Sequence, residues 1–283
     1  MGALYKNNQL LNYAALGFRQ LTCRFRRLPD FMIIGAQKSG TTAMFSFLAQ
    51  HPQLAVNKLT SVHYFDLNYS KSLCFYKRNF PLKWFSKNKL VGEYTPFYVF
   101  HPLAVERIGK DFPHMKLIIL MRNPVDRAYS HYNMKCERGE ETETFEKALE
   151  LEESRTAGEV EKIKQDHKYI SWSYRAFTYK ERGIYADQVE RVYRYFPKDQ
   201  VLILQSEQYF KNHLESIKQI YDFLGISYFE PQNLNVRNKR EYPKPMSEET
   251  RNALNSYFFD HNERLFKLIG KRFSWNDWKK NNI

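Results

Sequence analysis

Residues Phe31 to Thr42 read F-M-I-I-G-A-Q-K-S-G-T-T, an apolar run that breaks into a glycine-rich turn and then into helix-forming sequence. A continuous apolar run ending at Gly35 predicts a strand buried on both faces, which needs helices above and below it. The next segment, Thr41–Gln50, places Ala43, Met44, Phe47 and Leu48 on one helical face and is stopped by His51-Pro52. Strand, tight loop and helix in that order commit the chain to an α/β architecture with a parallel sheet.

The rest of the chain continues the alternation. Lys89–Tyr94 reads as a short strand, Leu103–Ile108 as a helix and Lys116–Met121 as a strongly apolar strand. Asn123-Pro124 opens a helix over Val125–Lys135. Gly183–Tyr195 is amphipathic, Val201–Leu204 is another buried strand, and Leu214–Leu224 is a helix closed by Gly225. Ser247–Leu268 is the last long helix, with Glu248 and Glu249 in the first turn, where the helix dipole favours negative charge. Gly139–His167 is rich in Glu and Lys and predicts exposed helices with a flexible link near Thr156–Gly158. No linker, low-complexity tract or repeat divides the chain. A single domain with a central parallel sheet flanked by helices is therefore expected over 29–283, after a basic helical arm, 1–28. Ligands in such folds bind beyond the carboxyl ends of the strands, so Gly35–Thr42 and Arg122–Asn123 should share one edge.

The formal charge of +13 favours anionic partners. The basic residues are spread along the chain without a helix-turn-helix, zinc-finger or aromatic RNA-binding signature, which argues against nucleic acid. Cys23, Cys74 and Cys136 are odd in number and widely spaced, a pattern of neither a disulfide framework nor a metal site. A reducing, cytoplasmic compartment is the expectation. No stretch reaches the roughly 18 apolar residues of a membrane span, and Asn12, Arg19 and Arg24 interrupt any secretory-type apolar core. Leu10, Ala14, Phe18 and Leu21 share a helical stripe beside Arg19, Arg24, Arg26 and Arg27. That arm either packs on the protein's own body or makes a peripheral membrane or partner contact.

The glycine-rich loop is nearly the nucleoside triphosphate consensus G-x-x-x-x-G-K-[ST]. Gly35, Gly40 and Thr42 keep its spacing, but Thr41 stands where the lysine belongs and Lys38 lies three residues earlier. Backbone N–H groups at the start of the following helix still suit a phosphate-type group. The ammonium approaches from another direction, which implies a different transferred group. In Leu117–Tyr132, Arg122 at a strand end and Ser130 on the next helix can converge on a second phosphate. Arginine suits the task because its planar fork binds phosphate oxygens bidentately, and such a bond is worth about 1.5–3 kcal/mol.

With both motifs in hand, the chain resembles the sulfotransferase superfamily that uses 3′-phosphoadenosine 5′-phosphosulfate (PAPS), and most closely its heparan sulfate sulfotransferase-type branch and bacterial relatives. Family loops of the form G-x-[QR]-[KR]-[SGC]-G-T-T correspond to Gly35–Thr42. The 3′-phosphate motif R-[ND]-P-x-x-R-x-x-S-x-Y matches Arg122, Asn123, Pro124, Arg127, Ser130 and Tyr132. H-P-Q (His51–Gln53), H-Y-F-D (His63–Asp66), G-E-Y-T-P (Gly92–Pro96) and R-G-x-Y (Arg182–Tyr185) extend the similarity over about Asp30 to Trp275. The resemblance implies that Gly35, Gln37, Lys38, Ser39, Gly40, Thr41, Thr42, Arg122 and Ser130 bind the donor, PAP being the product. It also implies that a late loop closes over the nucleotide, with Lys239 or Arg240 at the 3′-phosphate and Tyr242 on adenine. Lys38 and the loop N–H groups would stabilise charge on the bridging oxygen, and no metal is required.

The departures are specific. Where the branch reads K-E-x-H, with the glutamate as proposed base, this chain has Thr60, Ser61, Val62 and His63. Tyr94 replaces the lysine of E-K-T-P. His63 is then the leading candidate base, since a neutral imidazole accepts a hydroxyl proton near pH 7, and Glu93 is the second. The expected reaction is in-line transfer of a sulfuryl group to a hydroxyl, less readily an amine, of a carbohydrate, glycolipid or small-molecule acceptor. A non-catalytic PAP- or PAPS-binding protein and a P-loop kinase are the alternatives.

Overall fold

The computed structural model describes residues 15–56, 61–232 and 244–281. The strands are β1 (Phe31–Gly35), β2 (Leu54–Val56), β3 (Leu90–Tyr94), β4 (Lys116–Met121) and β5 (Val201–Gln205). The first six helices are α1 (15–21), α2 (Thr41–Leu48), α3 (Tyr64–Leu67), α4 (Leu73–Lys77), α5 (Ala104–Asp111) and α6 (Pro124–Glu137). They are followed by α7 (Phe145–Thr156), α8 (Glu159–Gln165), α9 (Trp172–Phe177), α10 (Tyr185–Tyr195), α11 (Ser206–Lys211), α12 (His213–Leu224) and α13 (Glu248–Ile269).

All strand pairs are parallel, in the order β2-β3-β1-β4-β5. β1 lies in the middle, with Met32 opposite Glu93 on one side and Leu117 on the other. Its alternate residues face opposite layers, as the two-residue period of a strand requires. Met32 and Ile34 pack with Ile119, Val189 and Leu265, whereas Phe31 and Ile33 pack with Met44, Phe45, Ile118 and Ile217. Both layers are apolar, which is why β1 reads as an unbroken apolar run and not an alternating one. The expected single α/β domain with a central parallel sheet flanked by helices is the observed fold.

Two expectations need correction. Cys23 and Cys74 are joined in a disulfide with a Cα–Cα distance of 5.3 Å, and Cys136 is the free cysteine. The pairing spans 51 residues and sits beside an antiparallel bridge between Arg26 and Leu82, a contact that cysteine spacing does not reveal. The acidic segment 139–167 does form helices, α7 and α8, with Gly158 in the left-handed region at their junction (φ 73°). It is not merely a solvated face, however. The buried Glu152 accepts the backbone N–H groups of Lys180 (2.6 Å) and Glu181 (2.8 Å), and Glu141 accepts from Arg155 and the Tyr179 hydroxyl.

Candidate active site

The turn after β1 is held from both sides. Ala36 N–H donates to Leu120 O (2.8 Å), and the Ser206 hydroxyl donates to Ser39 O (2.7 Å). Gly40 has φ 97°, and a Cβ there would lie 2.4 Å from the Phe210 ring, so only glycine fits. Lys38 also has positive φ, 73°, a conformation that side chains other than glycine rarely adopt. No side chain caps α2. The first N–H groups of this helix lack intrahelical acceptors, and Thr41, Thr42 and Ala43 line a cavity of about 800 Å³.

The second phosphate motif reaches the same cavity. Asn123 caps α6 through its side chain (Val125 N–H to Oδ1, 2.9 Å), and Pro124 occupies the first turn. The Glu207 carboxylate accepts Asn123 N–H at 2.7 Å and the Trp275 indole N–H at 3.1 Å, one on each oxygen. Arg122 is fixed by its carbonyl, which accepts the Tyr185 hydroxyl (2.9 Å), and donates from Nη1 to Lys38 O (3.3 Å). Arg122 and Ser130 both line the cavity with Gln37, Lys38, Ser39 and Gly40.

Beneath this surface lie two fully buried guanidiniums, Arg127 and Arg182. Among the described residues neither forms an ion pair. Arg182 donates to the Gln37 side chain, the Thr178 hydroxyl (2.8 Å) and the Tyr174 and Arg175 carbonyls, and lies over Phe97 and Phe100. Burial, followed by the charge of Arg127, lowers the Arg182 pKa to about 9. His131 is held well below its ordinary value by burial and then by Arg182 and Arg127, and so stays neutral. Arg127 and Arg182 project positive potential toward the cavity, where an anion is the complement.

The candidate bases are placed differently. His63, with φ 52°, lines the cavity, and its Nδ1 lies 2.6 Å from Asp66 Oδ2. The Asp66 side chain is fully buried and orients the imidazole through Nδ1. Ser61 and Tyr94 line the cavity too. Glu93 does not. It is fully buried and accepts the hydroxyls of Tyr76, Thr95 (3.1 Å) and Tyr98 (2.8 Å). Burial outweighs these donors and raises its pKa to about 7.

The fold therefore brings Gln37 to Thr42, His63, Arg122 and Ser130 together on one cavity, with Gly35 at the end of β1. Lys239, Arg240 and Tyr242 lie outside the described residues. Met134, Arg138, Ser206, Glu207 and Phe210 also line the cavity. Nothing in their spacing announces them, because they arrive from α6 and α11 through the sheet order. Asp66 was not singled out in the sequence; the signal for it is its place three residues beyond His63 in H-Y-F-D. No group of His, Cys, Asp and Glu that could hold a metal ion occurs among the described residues.

Known proteins resemble this chain. The chain is 26% identical over 314 residues to "Membrane-associated sulfotransferase kil1" of Dictyostelium discoideum, covering 88% of this chain and 66% of that protein. It is 28% identical over 275 residues to mouse "Heparan sulfate glucosamine 3-O-sulfotransferase 3B1", covering 88% of this chain and 65% of the relative. The chain thus spans just under two thirds of the length of these curated relatives. Among solved structures, the sulfotransferase from Alicyclobacillus acidocaldarius superposes with a TM-score of 0.72 at 27% identity, over 88% of this chain and 99% of that one. A family profile described as "Sulfotransferase domain" matches residues 28–282. Matched over nearly its whole length, with both phosphate motifs on one cavity, the chain belongs to the sulfotransferase domain family.

Proposed function

We propose that residues 29–283 form a catalytic domain that moves a sulfuryl group from PAPS to a hydroxyl of a carbohydrate, glycolipid or small-molecule acceptor. The observation that carries this reading is the convergence of Lys38, Arg122, Ser130 and His63 on one cavity. The residues fit the donor: uncapped N–H groups of α2 and Lys38 suit a 5′-phosphosulfate, and Arg122 with Ser130 suits a 3′-phosphate. The donor supplies an activated sulfur–oxygen bond. His63 Nε2 takes the acceptor's proton, Asp66 holds the imidazole through Nδ1, and Lys38 stabilises the charge left on the bridging oxygen. A carbohydrate acceptor is favoured by the heparan sulfate-directed name of the mouse relative and by the net charge of +13. Contact of the basic amino-terminal region with an anionic membrane surface belongs to the same reading.

Calorimetry and a radiolabelled sulfate-transfer assay over an acceptor panel test it. PAP should bind far more tightly than ATP with magnesium, because Arg122 and Ser130 offer a site ATP leaves empty. ATP binding as tightly would sink the donor assignment in favour of a P-loop kinase. His63→Ala should lower turnover about 10²–10⁴-fold with PAP affinity nearly intact, and full activity would remove His63 from the mechanism. Ser61 in place of the family glutamate motivates a second reading, a non-catalytic binder. Tight PAP binding without transfer to any acceptor would select it.

A further inference from the structure

The amino-terminal region and the segment before β3 form a single face. The Cys23–Cys74 disulfide, the Arg26–Leu82 bridge and hydrogen bonds from Arg26 Nη1 to Phe80 O (2.7 Å) and Arg27 N–H to Pro81 O (2.9 Å) tie α1 and the turn Cys23–Phe25 to α4 and the turn Lys83–Phe85. Seven of the thirteen exposed large apolar side chains of the described residues lie here, including Leu21 (83%), Trp84 (59%) and Phe85 (74%). Three of them are contiguous: ring centroids of Phe25 and Trp84 are 5.9 Å apart, and those of Trp84 and Phe85 6.3 Å. Single exposed apolar residues need no explanation, whereas a connected group does. The charge around it is one-sided. Residues 15–30 and 67–92 contain ten Lys and Arg but one acid, Asp30, which is ion-paired with Arg27.

We propose that this face docks on an anionic lipid bilayer, with Phe25, Trp84 and Phe85 entering the boundary between headgroups and acyl chains and Arg24, Lys83 and Lys87 meeting lipid phosphates. The proposal deepens the membrane contact included above and is independent of the transfer chemistry. Exposed aromatic side chains, ringed by cations, match the layered polarity of a bilayer surface. A second copy of the chain would set these cations against their own kind. The face lies beside the amino ends of β1 and β3, where Asp30 N–H meets Val91 O (2.8 Å). The cavity opens at the carboxyl ends, about 17 Å away along five-residue strands. Docking therefore leaves the cavity accessible to donor and acceptor.

Flotation of the 283-residue chain with phosphatidylcholine vesicles, with and without phosphatidylglycerol, tests this. Binding is expected only with phosphatidylglycerol, and it should weaken with added salt. Lys83→Gln and Lys87→Gln should each lower binding about fivefold, and the double change Trp84→Ala/Phe85→Ala about tenfold or more. Both aromatic side chains are exposed, so thermal stability and PAP affinity should be unchanged and a folding defect would be recognised. Equal binding to both vesicle types, binding to neither, or full binding by the aromatic double variant would overturn the proposal. So would a dimer, seen by sedimentation without vesicles and abolished by the double variant, because it would assign the face to a second copy. None of these outcomes alters the sulfate-transfer assay, so the two proposals fail separately.

Discussion

Lys38 and His63 are the non-glycine residues with positive φ among the described residues, at 73° and 52°. Holding an L-residue there costs about 1–2 kcal/mol, and such strain concentrates where position matters more than comfort. In this chain both strained residues line the cavity. A comparison of Lys38→Ala with Lys38→Gly isolates the backbone part, since both remove the ammonium. Lys38→Gly should be more stable than Lys38→Ala by about 1 kcal/mol in urea denaturation, while both lose turnover alike. Equal stabilities would show that the loop imposes no strain at this residue. Glu93 illustrates the opposite case. This carboxylate, surrounded by three hydroxyls and raised to about 7 by burial, does not line the cavity.

The Cys23–Cys74 link joins the turn after α1 to α4 across a separation of 51 residues. Closing a loop of that length removes unfolded-state entropy worth about 2–4 kcal/mol. Cys23→Ser should therefore destabilise the unreduced protein by that amount, and reductant should have the same effect on the parent. Thiol titration of the denatured, unreduced chain should find Cys136 alone, and three free thiols would disprove the pairing. Elements like this mark the limit of what sequence conveys. β1 and β4 were legible because burial on both faces leaves an unbroken apolar run, β5 because its partly buried run is apolar as well, and α6, α12 and α13 because caps or closing glycines bound them. β2 has three residues, Leu54–Val56, too few for periodicity to register. The disulfide and the carboxylates of α7 are decided by partners far along the chain, so local pattern left them unpaired or solvated.

At the scale of the molecule, the sheet order explains why two distant motifs meet. From β1 the chain runs to the β2-β3 side and afterwards to β4 and β5 on the other. The loops following β1 and β4 therefore diverge around a crevice at the carboxyl edge, where ligands of such folds collect. Each motif was readable by itself, and their proximity follows from the order of strands. The same arrangement draws in the end of the chain, since the Glu207 carboxylate that holds Asn123 N–H also accepts the Trp275 indole N–H. Nucleotide settling on Arg122 should be felt two hydrogen bonds further on, through Asn123 and Glu207, by a fluorophore. The chain then carries its own optical gauge: PAP titration should change the intrinsic emission, and Trp275→Phe should silence most of that response while Trp172→Phe, at an exposed site, leaves it. A response that survives Trp275→Phe would mean the carboxylate does not transmit. If the gauge works, occupancy of the site can be followed before any acceptor is known.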